Sequence, residues 1–237
     1  MKERFSDQEP KPAFTVDPHG AYLTKLLDAD GRPILFSRTE IEGKTRGGCH
    51  VCLPNFGPDA SGTLAQHGFG RTVDWDVVGD GPDIKELVMP QIEGEYAGLR
   101  AALRYMYSSE GGSRLTMNLA VHNAGLEALR IAPAFHPYLA VPHGEKVYLN
   151  DEELDISQYA DTEFIDGTTH VLRIGDRRLT LHSDQLTKWA LWTDGRGDYF
   201  CVEPTLEGPS FASPDGQYAQ TLLGPDELQS YEFRIDW

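Results

Sequence analysis

No run in the 237-residue sequence approaches the roughly 18 consecutive apolar residues that a membrane-crossing helix requires, so no helical membrane anchor is expected. The first twelve residues, Met1 to Pro12, are charged and polar where a secretion signal would be apolar. A cytoplasmic protein with a disordered N-terminal segment over 1–12 is the expectation. Basic residues are few: 21 Lys and Arg stand against 37 Asp and Glu, a net charge of -16, and no basic stripe interrupts it. That balance excludes nucleic acid as a natural partner. Internal repeats, low-complexity tracts and linkers are also lacking, so residues 13–237 are expected to form one domain, long enough to bury a sizeable core. Its expected state is a monomer or weak dimer.

Cysteine is scarce as well, with three in the chain. Cys49 and Cys52 enclose His50 at a spacing that could serve as half of a zinc site or as a redox pair. A structural zinc site needs a second pair, and only Cys201 remains. The two are therefore expected to be buried thiols on an apolar strand. No metal and no cofactor are expected.

Helical periodicity is hard to find, and what the sequence does hold is alternation. In Ser113 to Asn123, Leu115, Met117, Leu119 and Val121 fall on one face while Thr116, Asn118 and His122 fall on the other. Asp28-Ala29-Asp30-Gly31 and Ser108 to Gly112 have the turn chemistry of hairpin loops. Further short strands are expected at 171–174, 178–182, 188–192, 199–203 and 231–237, separated by Asp, Gly and Pro clusters. The 24 glycines and 15 prolines suit so many turns. The fold class read from this spacing is all-β, a sandwich. Two stretches depart from it. Leu99, Ala102, Leu103 and Met106 have helical spacing and predict a helix over 98–107, and 151–162 reads as a short helix or an excursion loop.

Four segments join chemically able side chains to tight backbone: Arg46-Gly47-Gly48, His67-Gly68-Phe69-Gly70-Arg71, Phe135-His136-Pro137-Tyr138 and Cys201-Val202-Glu203-Pro204. Singly, each has a plain structural explanation. A histidine is usually a hydrogen-bonded structural residue, a carboxylate on an apolar strand can be one half of a salt bridge, and Arg46 and Arg71 could be surface charges.

Their order together, with Phe56-Gly57 and His122-Asn123 interspersed, resembles the aldose 1-epimerases, and among them the hexose-6-phosphate mutarotase branch. The resemblance implies a galactose-mutarotase-like β-sandwich of twisted antiparallel sheets, and it implies interconversion of the α and β anomers of an aldose. By the same resemblance Glu203 matches the general base, His136 the general acid, and Arg46, His67 and Arg71 the lining of the sugar pocket. Asp166 matches a further pocket aspartate, with Asp151 and Asp161 as alternatives. Where the family often continues Gly-Gly-x-Pro, this chain has Cys49 and His50.

Such chemistry requires removal of the anomeric hydroxyl proton and delivery of a proton to the ring oxygen, which a carboxylate and an imidazolium can perform with no metal or nucleotide. A bell-shaped pH profile is expected, with the acidic limb set by the carboxylate and the basic limb by the imidazole. Trp192, Phe69, Tyr138 or Trp75 could face the sugar. Arg71, directly after His-Gly-Phe-Gly, looks like the sugar-phosphate branch, so the expected partner is a small sugar or sugar phosphate. A mutarotase of free hexoses and a non-catalytic carbohydrate-binding sandwich are the alternatives. A metal-dependent cupin is the weaker rival, because the histidines are scattered.

Overall fold

A computed structural model describes residues 13–59, 62–206 and 222–237; the N-terminal segment expected to be disordered lies outside them. The described residues form two large antiparallel sheets and no α-helix. No helix among them is long and apolar enough to cross a membrane.

One sheet has seven strands, in the order Phe14–Asp17, Tyr22–Leu26, Cys49–Cys52, Ala134–Ala140, Tyr199–Thr205, Lys188–Trp192 and Glu163–Asp166. The other has nine and is built around the ten-residue strands Leu99–Ser108 and Arg114–Asn123, with Leu228–Asp236 beside them. Side chains alternate across each strand, so the central strands each give one row to the space between the sheets. Leu115, Met117, Leu119 and Val121 fill that space from one side; Val51, Phe135, Trp189 and Val202 fill it from the other, all of them buried. Phe233 meets Phe135 and Trp189 at ring-centroid distances of 5.7 and 5.9 Å, which ties the two layers together.

The expected strands are present, several with longer ends: Thr169–Ile174, Arg177–His182, Lys188–Trp192 and Tyr199–Thr205. Both hairpin loops form. In the first, Gly31 donates to the Asp28 carbonyl while the Asp28 carboxylate accepts from the Asp30 and Arg32 amides. The helix expected over 98–107 is instead the strand Leu99–Ser108. Its buried residues, Leu99, Ala101, Leu103 and Tyr105, have period two, and all ten of its residues pair with the neighbouring strand Arg114–Asn123. Segment 151–162 combines a short strand, Glu152–Leu154, with a single 3-10 turn, Ile156–Gln158.

Cys49 and Cys52 are free and buried on one strand. Three residues apart, they leave opposite faces of the sheet. Cys49 packs its sulfur 3.9 Å from Met117 in the core, and Cys52 Sγ lies 3.4 Å from His67 Nδ1 on the outer face. They can neither share a metal nor close a disulfide.

Candidate active site

The outer face of the seven-stranded sheet, turned away from the core, forms the floor of a cavity of about 830 Å³. Strand register sets what stands there. Leu23 pairs with Cys49, which puts Tyr22 beside His50, and His50 pairs with His136. Ala134 pairs with Thr205 and Tyr138 with Cys201, which puts His136 beside Glu203. Ala190 then pairs with Glu203 and Phe164 with Ala190. Tyr22, His50, His136, Glu203, Ala190 and Phe164 thus form one cross-strand row, drawn from segments far apart in sequence.

His136 Nε2 and Glu203 Oε2 are 3.4 Å apart at the centre of that row, with both side chains buried. The imidazole is held by rings. It stacks on His50 at 4.8 Å and on Tyr138 at 4.7 Å, and the edge of His67 meets it at 5.0 Å. Neither Glu203 Oε2 nor His136 Nδ1 has a hydrogen-bond partner. A buried carboxyl oxygen without a hydrogen-bond partner costs stability, and a site that receives a ligand accounts for keeping one. Burial pushes the Glu203 carboxyl well above the usual carboxylate range. The same burial, together with the neighbouring imidazoles and Arg71, pushes His136 well below the usual imidazole range. Burial thus favours the neutral form of each member of the pair.

The loop carrying His67 and Arg71 folds over this row. His67 has a left-handed backbone, φ 67°, and Gly68 follows at φ 62°; the His67 amide donates to Phe56 O and the Gly70 amide to Leu53 O. Trp75, buried beneath, donates its indole N–H to Gly70 O at 2.8 Å. Burial, then Arg71, lowers His67 to a pKa of about 3, so this ring too is neutral. Charge in the cavity comes from Arg38, Lys44, Arg46 and Arg71, and among the described residues Glu203 is the only acid lining it. A chain with net charge -16 thus encloses a locally cationic pocket. Arg38 is bound to Asp17 at 2.8 Å and lies 4.4 Å over the Tyr22 ring. Arg46 donates to Asp194 at 2.9 Å and stacks on Trp192. Asp194 also accepts from the Tyr199 hydroxyl; against the upward push of partial burial, these two donors hold its carboxyl below the usual range. Arg71 reaches only the Gln66 carbonyl, at 3.3 Å, and faces no carboxylate among the described residues.

Glu203, His136, Arg46, His67 and Arg71 therefore line one cavity, as do Trp192 and Tyr138. Asp166 does not. It lies on the edge strand one repeat beyond Phe164, is largely exposed, and is bound by Lys188 at 2.8 Å. Neither Asp151 nor Asp161 reaches the cavity, which that part of the chain lines with Thr162 and Phe164 instead. Phe69 and Trp75 belong to the core side, Phe69 against Tyr96 at 5.7 Å. His122 and Asn123 lie on the other sheet, where Asn123 ties the backbone at Glu127 and Leu223. His50 is a residue that sequence reasoning undervalued; its place abreast of His136 follows once the two strands are known to be neighbours.

The aldose 1-epimerase family pattern matches residues 13–195. The chain belongs to that family. No curated protein matches it, and the solved structures it resembles are distant in sequence. A galactose mutarotase-like protein from Lactobacillus casei is 15% identical with a TM-score of 0.79, covering 96% of this chain and 98% of its own. The Slr1438 protein of Synechocystis is 20% identical with a TM-score of 0.75, covering 94% and 90%. A galactose mutarotase related enzyme from Lactobacillus acidophilus is 17% identical with a TM-score of 0.73, covering 94% and 93%. At these identities the likeness is one of fold: this epimerase-family chain is built on the galactose mutarotase-like sandwich.

Proposed function

We propose that the protein is a mutarotase of hexose 6-phosphates, with Glu203 as base and His136 as acid. The observation that carries the reading is the 3.4 Å contact of these two groups on the floor of a cavity walled by four basic side chains. O1 and O5 of a pyranose are both bonded to C1, so groups this close can each reach one of them within about 2.6–3.2 Å. Glu203 takes the O1 proton while His136 gives one to O5, and the C1–O5 bond breaks. The aldehyde turns about C1–C2. His136 then recovers the O5 proton as Glu203 protonates the carbonyl oxygen, closing the other face. The open-chain complex holds a carboxylic acid and a neutral imidazole, the proton load that burial favours. The cyclic sugar requires the ion pair, which the hydroxyls of a bound sugar stabilise by hydrogen bonding.

Turnover needs one proton shared between the two groups. Acid adds a second and leaves an uncompensated imidazolium; base removes the first and leaves an uncompensated carboxylate. Burial disfavours both charged states, so it widens the active window on either side. The acidic limb of kcat/KM is then loss to His136 protonation, below the usual imidazole range, and the basic limb is loss of the Glu203 proton, above the usual carboxylate range. This interchanges the limbs expected from sequence. A broad plateau across neutrality, measured by NMR exchange between anomers, is the expected profile; a narrow bell centred near pH 5.5 counts against it.

Arg71 supports the phosphate. It is the guanidinium in the cavity without a carboxylate partner among the described residues, whereas Arg46 is already neutralised by Asp194. Arg71→Ala should weaken a hexose 6-phosphate by about 1.5–3 kcal/mol, roughly ten- to 150-fold in KM, and the free hexose by no more than about threefold. Equal losses on both substrates would point to neutral hexoses instead.

A further inference from the structure

One buried group beside the catalytic pair has no part in this reaction, the thiol of Cys201, which packs with Tyr138 and Tyr199 beneath the cavity lining. It precedes Glu203 by two residues on the same strand, so both side chains leave the same face, and it pairs with Tyr138 on the strand that carries His136. Cys201 is free, and one ligand atom from each of His136, Cys201 and Glu203 lies within 4.8 Å of the others. We propose that these three side chains form a binding site for Zn²⁺ or a cation of the same borderline-soft class, and that its occupancy switches the mutarotase off.

The donor set selects the cation. One imidazole nitrogen, one sulfur and one carboxylate oxygen are the ligands zinc takes at about 2.0–2.3 Å, whereas Mg²⁺ and Ca²⁺ prefer oxygen alone. In a tetrahedral site with such bonds the ligand atoms lie within about 4 Å of one another, so closure needs movements of under about 1 Å. The His136–Glu203 edge, at 3.4 Å, is already that short. Glu203 Oε2, buried and without a hydrogen bond, would gain a bond to the metal. Three protein ligands leave a fourth position for water or a sugar hydroxyl. Coordination releases the Cys201 thiol proton and any proton on Glu203 to solvent, and nothing is oxidised or reduced. It also occupies the lone pairs that the base and acid use. Metal and proton transfer therefore exclude each other.

The inhibition rests on the mutarotase reading; the metal site does not. Co²⁺ added to the chelator-treated full chain is expected to bind at one equivalent and to give the near-ultraviolet charge-transfer band of a cobalt thiolate. Zn²⁺ should displace it and lower anomerisation of a hexose 6-phosphate at least about tenfold, reversed by chelator. Cys201→Ser should keep the metal-free rate within about twofold, lose the band, and need at least about thirtyfold more zinc for half inhibition. The wild-type band tests the site even where that variant does not fold. Absence of the band overturns the proposal, as does a folded Cys201→Ser variant with unchanged zinc sensitivity, which places the metal elsewhere. If no sugar is anomerised but the thiolate band forms, the site stands and the mutarotase reading falls.

Discussion

Glu203→Gln is expected to lower anomerisation by at least about a hundredfold while leaving sugar binding within several-fold. The amide keeps the shape of the carboxyl and its place beside His136, but it cannot take the O1 proton. Positioned proton transfer contributes about 10²–10⁴-fold, and that part of the rate is what the substitution removes. Stability should not fall with it. Burial already holds Glu203 toward its neutral form, so an amide replaces an acid of nearly the same size and charge. Exchange rates between anomers, a binding titration and a melting curve on the same sample separate the three quantities. Turnover above about one tenth of wild type would remove Glu203 from the mechanism. His136→Asn should cause a comparable loss, and the double variant should be little worse than either single one, because base and acid act as a unit.

The strands were legible because their alternation is strong: in Arg114–Asn123 every second residue from Leu115 to Val121 is a large apolar one, and a period of two fits the row. Leu99–Ser108 misled because it supports two periods at once. Ala102 and Met106 complete a helical stripe with Leu99 and Leu103, while Ala101 and Tyr105 complete a strand row. A ten-residue neighbour that pairs at every position decides for the strand, and that neighbour is not visible in the local pattern. The site divides in the same way. Motifs with their own glycines or prolines, at Arg46, His67, Arg71, His136 and Glu203, could be named one at a time. What register alone supplies could not: His50 abreast of His136, Asp194 holding Arg46 from a turn far along the chain, and Asp166 falling one repeat past the cavity edge. A strand slip of one residue would turn Glu203 into the core, so the chemistry depends on pairing that composition does not record.

The loop over the site offers a test of that dependence. At Gly68 an added Cβ would sit 2.2 Å from Leu53 O and 2.5 Å from its carbonyl carbon, at φ 62°, where side chains are strained. The atoms in the way are backbone, so no rotamer change relieves the contact. Gly68→Ala should therefore pay about 1–3 kcal/mol for the left-handed backbone and then shift the loop as well. That shift carries His67 away from His136 and Arg71 away from the cavity, and it breaks the Gly70 amide bond to Leu53 O. Gly111 provides the comparison. It has the same left-handed backbone, φ 73°, in a hairpin where an added Cβ meets nothing within 4 Å, so Gly111→Ala pays strain alone. The two variants should lose similar amounts of stability from strain, with Gly68→Ala the lower in melting temperature. Only Gly68→Ala should also lose activity in the fraction that remains folded, by about tenfold or more, since a displacement near 1 Å can cost about a hundredfold in a positioned reaction. Equal specific activity in the two folded variants would mean that the His67–Arg71 loop does not position the chemistry.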